Sequence, residues 1–511
     1  MLTRCYRLAP GARLETSAGR RWLRSHYPLR QVELNETAWR LLNALDGQTP
    51  LHLLVERLTP EVLGFLDARL AGGLLEARYG VRAPRELPLV RVVIPVRDNP
   101  AGLARCLAAL AAQRYPEQKI QLVVVDDASA HPARDFTPTP DAVGKMVHWV
   151  RLEKNAGPAT ARNAGAAWPG GWNPAPGCRG QAGPAPPAVA AAASNLAFLD
   201  SDCVPGPDWL AAMVAVLDDR WVGAAGGKVE GLRRDRLLAR YESACSSLQL
   251  GDRPGPAAAA GARLPYLPAC NLMVSREAFA AVGGFRPGAR LGEDFDLCRR
   301  LARAGYGVFY YPGVSVRHHY RDRWAPFLRR KADYAFSEAW LRRAHPGPWW
   351  RKPSRAARAG LVLGAVGLAA GGWWWALAVA IPPALEGARH HWRLRRAFAQ
   401  VPRRLRWLAS LRRGAGIMLS ECRAAARETM ALWLPLIVAA PRLAVLAAPV
   451  ALAAGIAEWR ARRPPLRWWE FAVGFGAECM AYSFGRVVGF GWQWTEPARR
   501  RVASCRWKRG Q

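Results

Sequence analysis

Apolar positions recur along this chain with two periods, and the changes of period separate three regions. In residues 1–85, VELNETAWRLLNALDG reads as a strand end, an Asn35 cap and a helix. Leu41, Leu42 and Leu45 fall at helical spacing beside Trp39, and Gly47 stops the run. Thr49-Pro50 opens a second short helix and Pro60 a third. Three short helices flanked by strands predict a small winged-helix domain. A plain helical cap on a larger enzyme is the alternative.

ARYGVRAPRELP, with its two prolines, reads as a linker. Beyond it LVRVVIPV (89–96), QLVVVDDAS, MVHWVRL and NLAFLDSD are short β-branched runs, as expected of strands buried on both faces. AGLARCLAALAAQ and PATARNAGAA read as helices between them. This alternation predicts an α/β domain over 89–345 with a doubly wound sheet. Ligands of such sheets gather at the carboxyl ends of the strands, where this chain places its acids. The Pro/Gly/Ala-rich stretch 168–194 reads as a surface insertion, and 251–265 as a mobile loop nearer the chemistry.

The region 346–511 is helical in pattern. AGLVLGAVGLAAGGWWWALAVAIPPAL (359–385) carries no charge and exceeds the ~20 residues a bilayer crossing needs. A second apolar run, 430–457, is interrupted by Pro441-Arg442, and a third, 471–485, is short and holds Glu478.

Charge changes the picture of this last region. The chain carries a net +34 over 511 residues. Residues 346–511 hold 27 basic and 7 acidic residues, so +20 of the excess lies there. Basic residues flank 359–385 on both sides, and the positive-inside rule puts both flanks in the cytosol. A single span cannot do that, whereas re-entrant or interface-lying helices facing anionic lipid can. The expectation is therefore association with the cytoplasmic face of the cell membrane, with a soluble helical subdomain as the alternative. No RNA-binding or zinc-finger signature accompanies the arginines, so no nucleic-acid partner is expected. The ten cysteines form no CxxC and no zinc spacing, which argues against a disulfide or zinc framework. The N-terminus lacks an apolar signal core, so the catalytic part is expected in the cytosol. P-loop and GxSxG motifs are absent.

Four clusters carry candidate chemistry. Asp200 and Asp202 follow the strand LAFL, and two acids at a strand end suit a hard divalent cation, magnesium or manganese. Asp202 capping a helix opened by Pro205 and Pro207 is the alternative. Asp126 and Asp127 end another strand, where a carboxylate can accept from a base or ribose, or close an Asx turn with Ser129. Glu293, Asp294 and Asp296 open a helix with more acid than its dipole needs, so one facing a pocket would be a general base. His318-His319 ends a strand, suited to a cation or diphosphate, or to a structural role.

Read together, VVIPV, VVVDDAS, NAGPATARNAG (155–165), FLDSDC, PACNLMVSREAFAAVGGF, GEDFDLCRRL and HH resemble, in order, a family 2 glycosyltransferase of the GT-A fold. The resemblance implies inverting transfer from a nucleotide-diphosphate sugar. It implies that Asp127 binds the base while Pro95, Val96 and Asp98 line the nucleotide pocket. Arg162 and Asn163 would stand beside the diphosphate, with Asn271 and Glu293 also binding substrate. Asp200 and Asp202 would be metal-binding acids, Asp202 the nearer, with His318 or His319 touching metal or diphosphate. Asp294 would be the catalytic base.

ELNETAWRLLNALDGQTPLHLLVERL further resembles the PqqD-type peptide-recognition domains. The combination is similar to the glycosyltransferases of the mycofactocin system. That likeness implies a UDP-glucose donor, a peptide-derived redox cofactor as acceptor and a β-linked glucose chain as product. A membrane transferase moving rhamnose or another sugar to a cell-wall or lipid acceptor is the second reading. A non-catalytic peptide-binding adaptor is the third, opposed by Asp127, Asp202 and Asp294.

Overall fold

The computed structural model describes residues 2–26, 29–55, 59–81, 86–138, 147–168, 193–258, 264–289, 291–346, 355–398 and 401–493. Most of the insertion expected over 168–194 lies outside the described residues. The chain divides into two compact units, Met1–Arg233 with Ser246–Tyr320, and Arg234–Cys245 with Arg321–Gln511. The second unit thus takes in residues 321–345 and a helix, Leu237–Cys245, from within the range expected for the α/β domain.

In the first unit, β1 (Leu2–Leu8) pairs antiparallel with β5 (Leu75–Val81). β2 (Ala12–Ser17), β3 (Arg20–His26) and β4 (Leu29–Leu34) form a separate three-stranded meander. Helices α1 (Glu36–Asn43), α2 (Leu51–Leu54) and α3 (Pro60–Ala71) follow, as their stop and start signals predict. The Asn35 side chain accepts from the Ala38 N–H at 2.9 Å, supplying the cap. The expected linker is corrected in its first half, because β5 runs through residues 77–81. There Leu75, Ala77 and Tyr79 alternate toward the interior, and the Tyr79 ring meets Phe309 edge-on at 5.0 Å.

The large sheet contains β6 (Val90–Val96), β7 (Ile120–Asp126), β8 (Val147–Arg151), β9 (Asn195–Leu199), β10 (Cys203–Pro205), β11 (Val222–Gly231), β12 (Gly255–Ala257), β13 (Asn271–Ser275) and β14 (Gly307–His318). Its order is β10-β14-β11-β13-β9-β6-β7-β8, with β12 on β14. Strands β9, β6, β7 and β8 are mutually parallel. β13 runs antiparallel to both neighbours, β9 and β11, so the sheet is mixed and only its first half is doubly wound. β12 also corrects the reading of 251–265 as loop alone. Helices α4 (Pro100–Ala111), α5 (Pro158–Ala166), α6 (Trp209–Leu217), α7 (Arg276–Ala281) and α8 (Glu293–Arg303) pack around it. α6 starts at Trp209, beyond Pro205 and Pro207, so Asp202 does not cap it.

Alternate residues of the central strands feed two apolar cores. Val92, Ile94, Leu122 and Val124 join one, and Val93, Val123 and Val125 the other. Burial on both faces is why these strands read as continuous apolar runs.

The second unit holds α9 (Trp324–Ala344), α10 (Arg355–Ala369), α11 (Ile381–Ala397), α12 (Arg403–Ala439), α13 (Ala444–Arg462) and α14 (Trp468–Gln493). The uncharged stretch 359–385 is not one helix. It breaks after Ala369 at Gly371, whose φ of +103° glycine tolerates, and continues as a 3-10 segment, Trp373–Val379. The second apolar run breaks at Pro441-Arg442, as its sequence predicts. One helix among the described residues, Pro441–Arg462, has the length and mean hydropathy (1.4) of a candidate span. Glu478 is buried in α14, where it accepts from the Tyr241 hydroxyl at 2.9 Å and pairs with Lys331 at 3.4 Å. Among the described residues, every large exposed apolar side chain except Leu53 and Phe136 lies in this unit.

Candidate active site

The carboxyl ends of β6, β7 and β9 lie side by side, and the acids predicted there emerge together. Val96 ends β6 and is buried, with Pro95 partly exposed beside it. Asp98 follows with a φ of +50°. Its N–H donates to the Ser129 hydroxyl at 3.0 Å, and its carboxylate accepts from the Ala130 N–H at 2.7 Å. These bonds tie the β6 loop to the β7 loop.

Asp126 and Asp127 divide their work. Asp126 accepts from the Ser129 and Ala133 N–H groups and pairs with Arg151 at 2.6 Å, which is the Asx-turn role. Asp127 is buried and accepts from the Ala156 and Gly157 N–H groups at 2.7 and 2.9 Å. It holds the loop that launches α5, and a carboxylate has lone pairs left for a further donor.

α5 lies close to the sheet because Gly165 carries no side chain. A Cβ there would come within 3.0 Å of Val125 and closer still to Val93. This close approach brings Arg162, almost wholly buried, under the acids. Its guanidinium donates to Asp200 at 2.6 Å and to Glu293 at 2.8 Å. Its two carboxylate neighbours outweigh burial and hold it charged. Arg162 thus bridges two acids, and Glu293 is buried as its partner. Asn163 clamps the backbone of Phe285, donating to its carbonyl at 2.7 Å and accepting from its N–H at 2.9 Å. The Asn163 amide is thus committed to the backbone of Phe285, whereas the buried Arg162 Nε has no hydrogen-bond partner among the described residues. Asn271 is likewise fully buried, accepting from the Trp209 indole at 2.8 Å and donating to the Lys228 carbonyl at 3.0 Å. It braces β13 against α6 and β11.

Of the three acids opening α8, Asp296 is fully buried between Arg286 and Arg300. Asp294 is different. It is partly exposed and accepts from the Phe295 N–H at 2.8 Å and, at 3.4 Å, from the Ala269 N–H. Desolvation, and then the charge of Glu293, push its carboxyl up to about 7. Among the described residues it carries no ion pair of its own, and a carboxyl that titrates near neutral pH suits a general base.

β10 pairs with the end of β14, setting Cys203 opposite His318. The His318 Nε2 lies 3.4 Å from Asp202, and its buried Nδ1 has no hydrogen-bond partner among the described residues. Ligand atoms of Asp202, Cys203 and His318 lie within 4.8 Å of one another. Burial drives the Cys203 thiol up, and Asp202 and His318 supply a carboxylate and an imidazole donor beside it. Asp202 is partly exposed toward the strand ends. His319 lies next to this pair, its N–H donating to the Asp202 carbonyl at 3.0 Å. The bridge from Asp200 through Arg162 to Glu293 is the feature sequence reading missed. An arginine in an alanine- and glycine-rich helix was its visible signal.

The mixed sheet, with acids gathered at one edge, is that of a GT-A glycosyltransferase domain. Residues 87–333 match the family model described as glycosyltransferase like family 2. The chain is 33% identical over 321 residues to the pre-mycofactocin glycosyltransferase of Mycobacterium tuberculosis. That alignment covers 60% of this chain and 61% of the relative. It is 27% identical over 238 residues to the glycosyltransferase AglE of Haloferax volcanii, covering 45% of this chain and 67% of that one. Among solved structures it is similar to a mannosyltransferase of Pyrobaculum calidifontis, solved with GDP-mannose and Mn2+. The TM-score is 0.42 and the identity 20%, over 85% of this chain and 95% of that one.

Proposed function

We propose that this chain is an inverting glycosyltransferase of the mycofactocin pathway. It transfers glucose from UDP-glucose to the peptide-derived redox cofactor precursor, premycofactocin, and builds a β-linked glucose chain. The relative of 33% identity supports the pathway. The observation that carries the reaction type is the Asp294 carboxyl, raised to about 7 beside the fixed Asp200, Arg162 and Glu293 bridge.

In this reading an acceptor hydroxyl attacks the anomeric carbon as the bond to the diphosphate oxygen breaks. Asp294 takes the hydroxyl proton, and the nucleoside diphosphate leaves from the opposite face. One displacement inverts the centre, so a single catalytic carboxylate suffices. Asp127, Asp98, Pro95 and Val96 border the nucleotide. Asp202 and His318 would hold a divalent cation, with Asp200 and His319 beside them. Such an ion supplies charge to stabilise the leaving diphosphate. A carboxylate and an imidazole together favour manganese over magnesium.

The same reading assigns peptide recognition to the N-terminal domain. It also locates the protein at the cytoplasmic face of the membrane, supported by the exposed apolar side chains of the second unit and the arginines around them. That surface is also what favours the second reading, a sugar moved to a lipid acceptor. Purified protein given manganese, UDP-glucose and premycofactocin is expected to release UDP. No release with that acceptor, but release with a polyprenyl phosphate, would favour the lipid reading.

A further inference from the structure

The second unit contains two helical hairpins whose construction matches insertion into one leaflet of a bilayer. The first runs down α10, turns at Ala370–Gly372 and returns through Trp373–Val379 into α11. Its limbs are antiparallel. A Cβ on Gly360 would meet Pro382 at 3.2 Å, and one on Gly364 would meet the Trp375 carbonyl at 3.1 Å. The second runs down the end of α12, turns at Pro441–Leu443 and returns along α13. Its base is closed by Arg423, which pairs with Glu458 at 3.2 Å.

Each limb is apolar for about half the thickness of a bilayer. Residues 359–369 and 429–440 hold no charge, nor do 443–457. At ~1.5 Å per residue these limbs reach about 16–22 Å, short of the ~30 Å hydrocarbon core. The first hairpin is basic at both ends, with Arg355 and Arg358 against Arg389 and Arg393. In the second, Arg460, Arg462 and Arg463 outnumber Glu458 at one end, while Arg423 and Arg427 are matched by Glu421 and Glu428 at the other. Exposed apolar side chains line the limbs, among them Val362, Val366, Leu377, Leu436, Val438 and Leu452.

The turns satisfy the strictest demand that lipid makes, internal pairing of the backbone. Gly372 donates to Gly367 at 3.0 Å and Gly371 to Leu368 at 3.1 Å. Leu443 donates to Ala440 at 3.0 Å, and Ala440 to Leu436 at 2.8 Å. The two turns also meet, because a Cβ on Gly371 would lie 2.9 Å from the Arg442 guanidinium. Arg442 therefore sits at the carbonyl end of α10, where the helix dipole is negative. Backbone carbonyls are among the partners that make an arginine tolerable within a membrane.

We infer that the two hairpins form a monotopic anchor, entering a single leaflet of an anionic bilayer from the basic side and turning back without crossing it. This rests on the membrane reading above, and the experiment separates the two. Full-length protein carrying Ala370→Cys, Ala444→Cys or Arg412→Cys is added to preformed sealed vesicles of phosphatidylcholine with or without phosphatidylglycerol. A membrane-impermeant maleimide is supplied outside or trapped in the lumen, with the parent protein as background. The anchor predicts binding that needs phosphatidylglycerol and labelling of Arg412→Cys from outside only. It predicts that Ala370→Cys and Ala444→Cys become unreactive from both sides and regain reactivity in detergent. Failure to bind either vesicle overturns the membrane reading and the anchor together. Binding with lumenal labelling of either turn shows that the hairpins cross, and binding with external labelling of both turns shows that they do not enter. Either result overturns the anchor alone.

Discussion

Arg162 donates to Asp200 at 2.6 Å from a side chain only 4% exposed. The same guanidinium holds Glu293, so the acid after β9 and the acid opening α8 share one cation. Removing it would leave two carboxylates facing each other without compensation. Arg162→Met is expected to cost about 3–5 kcal/mol in stability, the usual result of breaking a buried pair. Arg162→Lys offers one compact charge in place of a two-pronged fork and should recover only part of that stability. Urea unfolding with each variant measures both. A loss below about 1 kcal/mol for Arg162→Met would contradict the bridge as a structural element.

Asp294 gives the pH dependence its sign. Its carboxyl is raised to about 7 when folded, against about 3.9 in the unfolded chain. As a base it works ionised, so kcat/KM should climb as pH rises through about 7 and level off above. Its stability effect runs the other way. The folded state holds this proton more tightly, so the contribution is full below about pH 4 and is lost as pH rises through 7. Asp294→Asn should abolish turnover, leave nucleotide binding in place and flatten the stability profile between those limits. Calorimetry across that range and a turnover assay test the two halves separately.

Much of this architecture is legible in the sequence, and what is not has a common cause. β6, β7 and β9 announce themselves because burial on both faces demands unbroken apolar runs. The Asn35 cap and the Pro441-Arg442 break are local and depend on a few adjacent residues. The antiparallel course of β13 is invisible, since strand direction leaves no mark on composition. Asn163 and Asn271 are visible as polar residues in a conspicuous setting, but their partners, Phe285 and Trp209, are more than sixty residues away. Whether an amide faces a ligand or braces the fold depends on those distant partners. The run 359–385 misleads by length alone: Gly371-Gly372 folds it back on itself.

Asn271 should accordingly behave as a brace. Asn271→Ala takes the partner from the buried Trp209 indole N–H and from the part-buried Lys228 carbonyl. A loss of about 1–3 kcal/mol is expected for each group orphaned, with KM for the donor nearly unchanged among molecules that still fold. A KM that rises steeply while stability holds would return Asn271 to the substrate.

Asp202 and His318 make a prediction about metal. Asp202→Ala and His318→Gln should each raise the manganese concentration that supports half-maximal turnover at least about tenfold. Cys203→Ser should change it far less, because Asp202 and His318 are the donors assigned to the ion. Chelation should stop the parent enzyme, and restored manganese should revive it. Equal dependence on manganese in all three variants would remove this pair as the cation site.

The last prediction concerns how the N-terminal domain is held. Arg4 on β1 pairs with Asp219 after α6 at 2.7 Å, with both side chains less than a tenth exposed. Tyr79 on β5 packs against Phe309 on β14. An independently tethered module would bury neither. Arg4→Ala strands the Asp219 carboxylate in the interior and should cost about 3–5 kcal/mol. The double variant Arg4→Ala/Asp219→Ala removes both charges and should recover much of that loss, because the uncompensated ion is then gone. Double-mutant analysis by urea unfolding tests this, and a single variant as stable as the parent would show that the pair does not tie the two parts together.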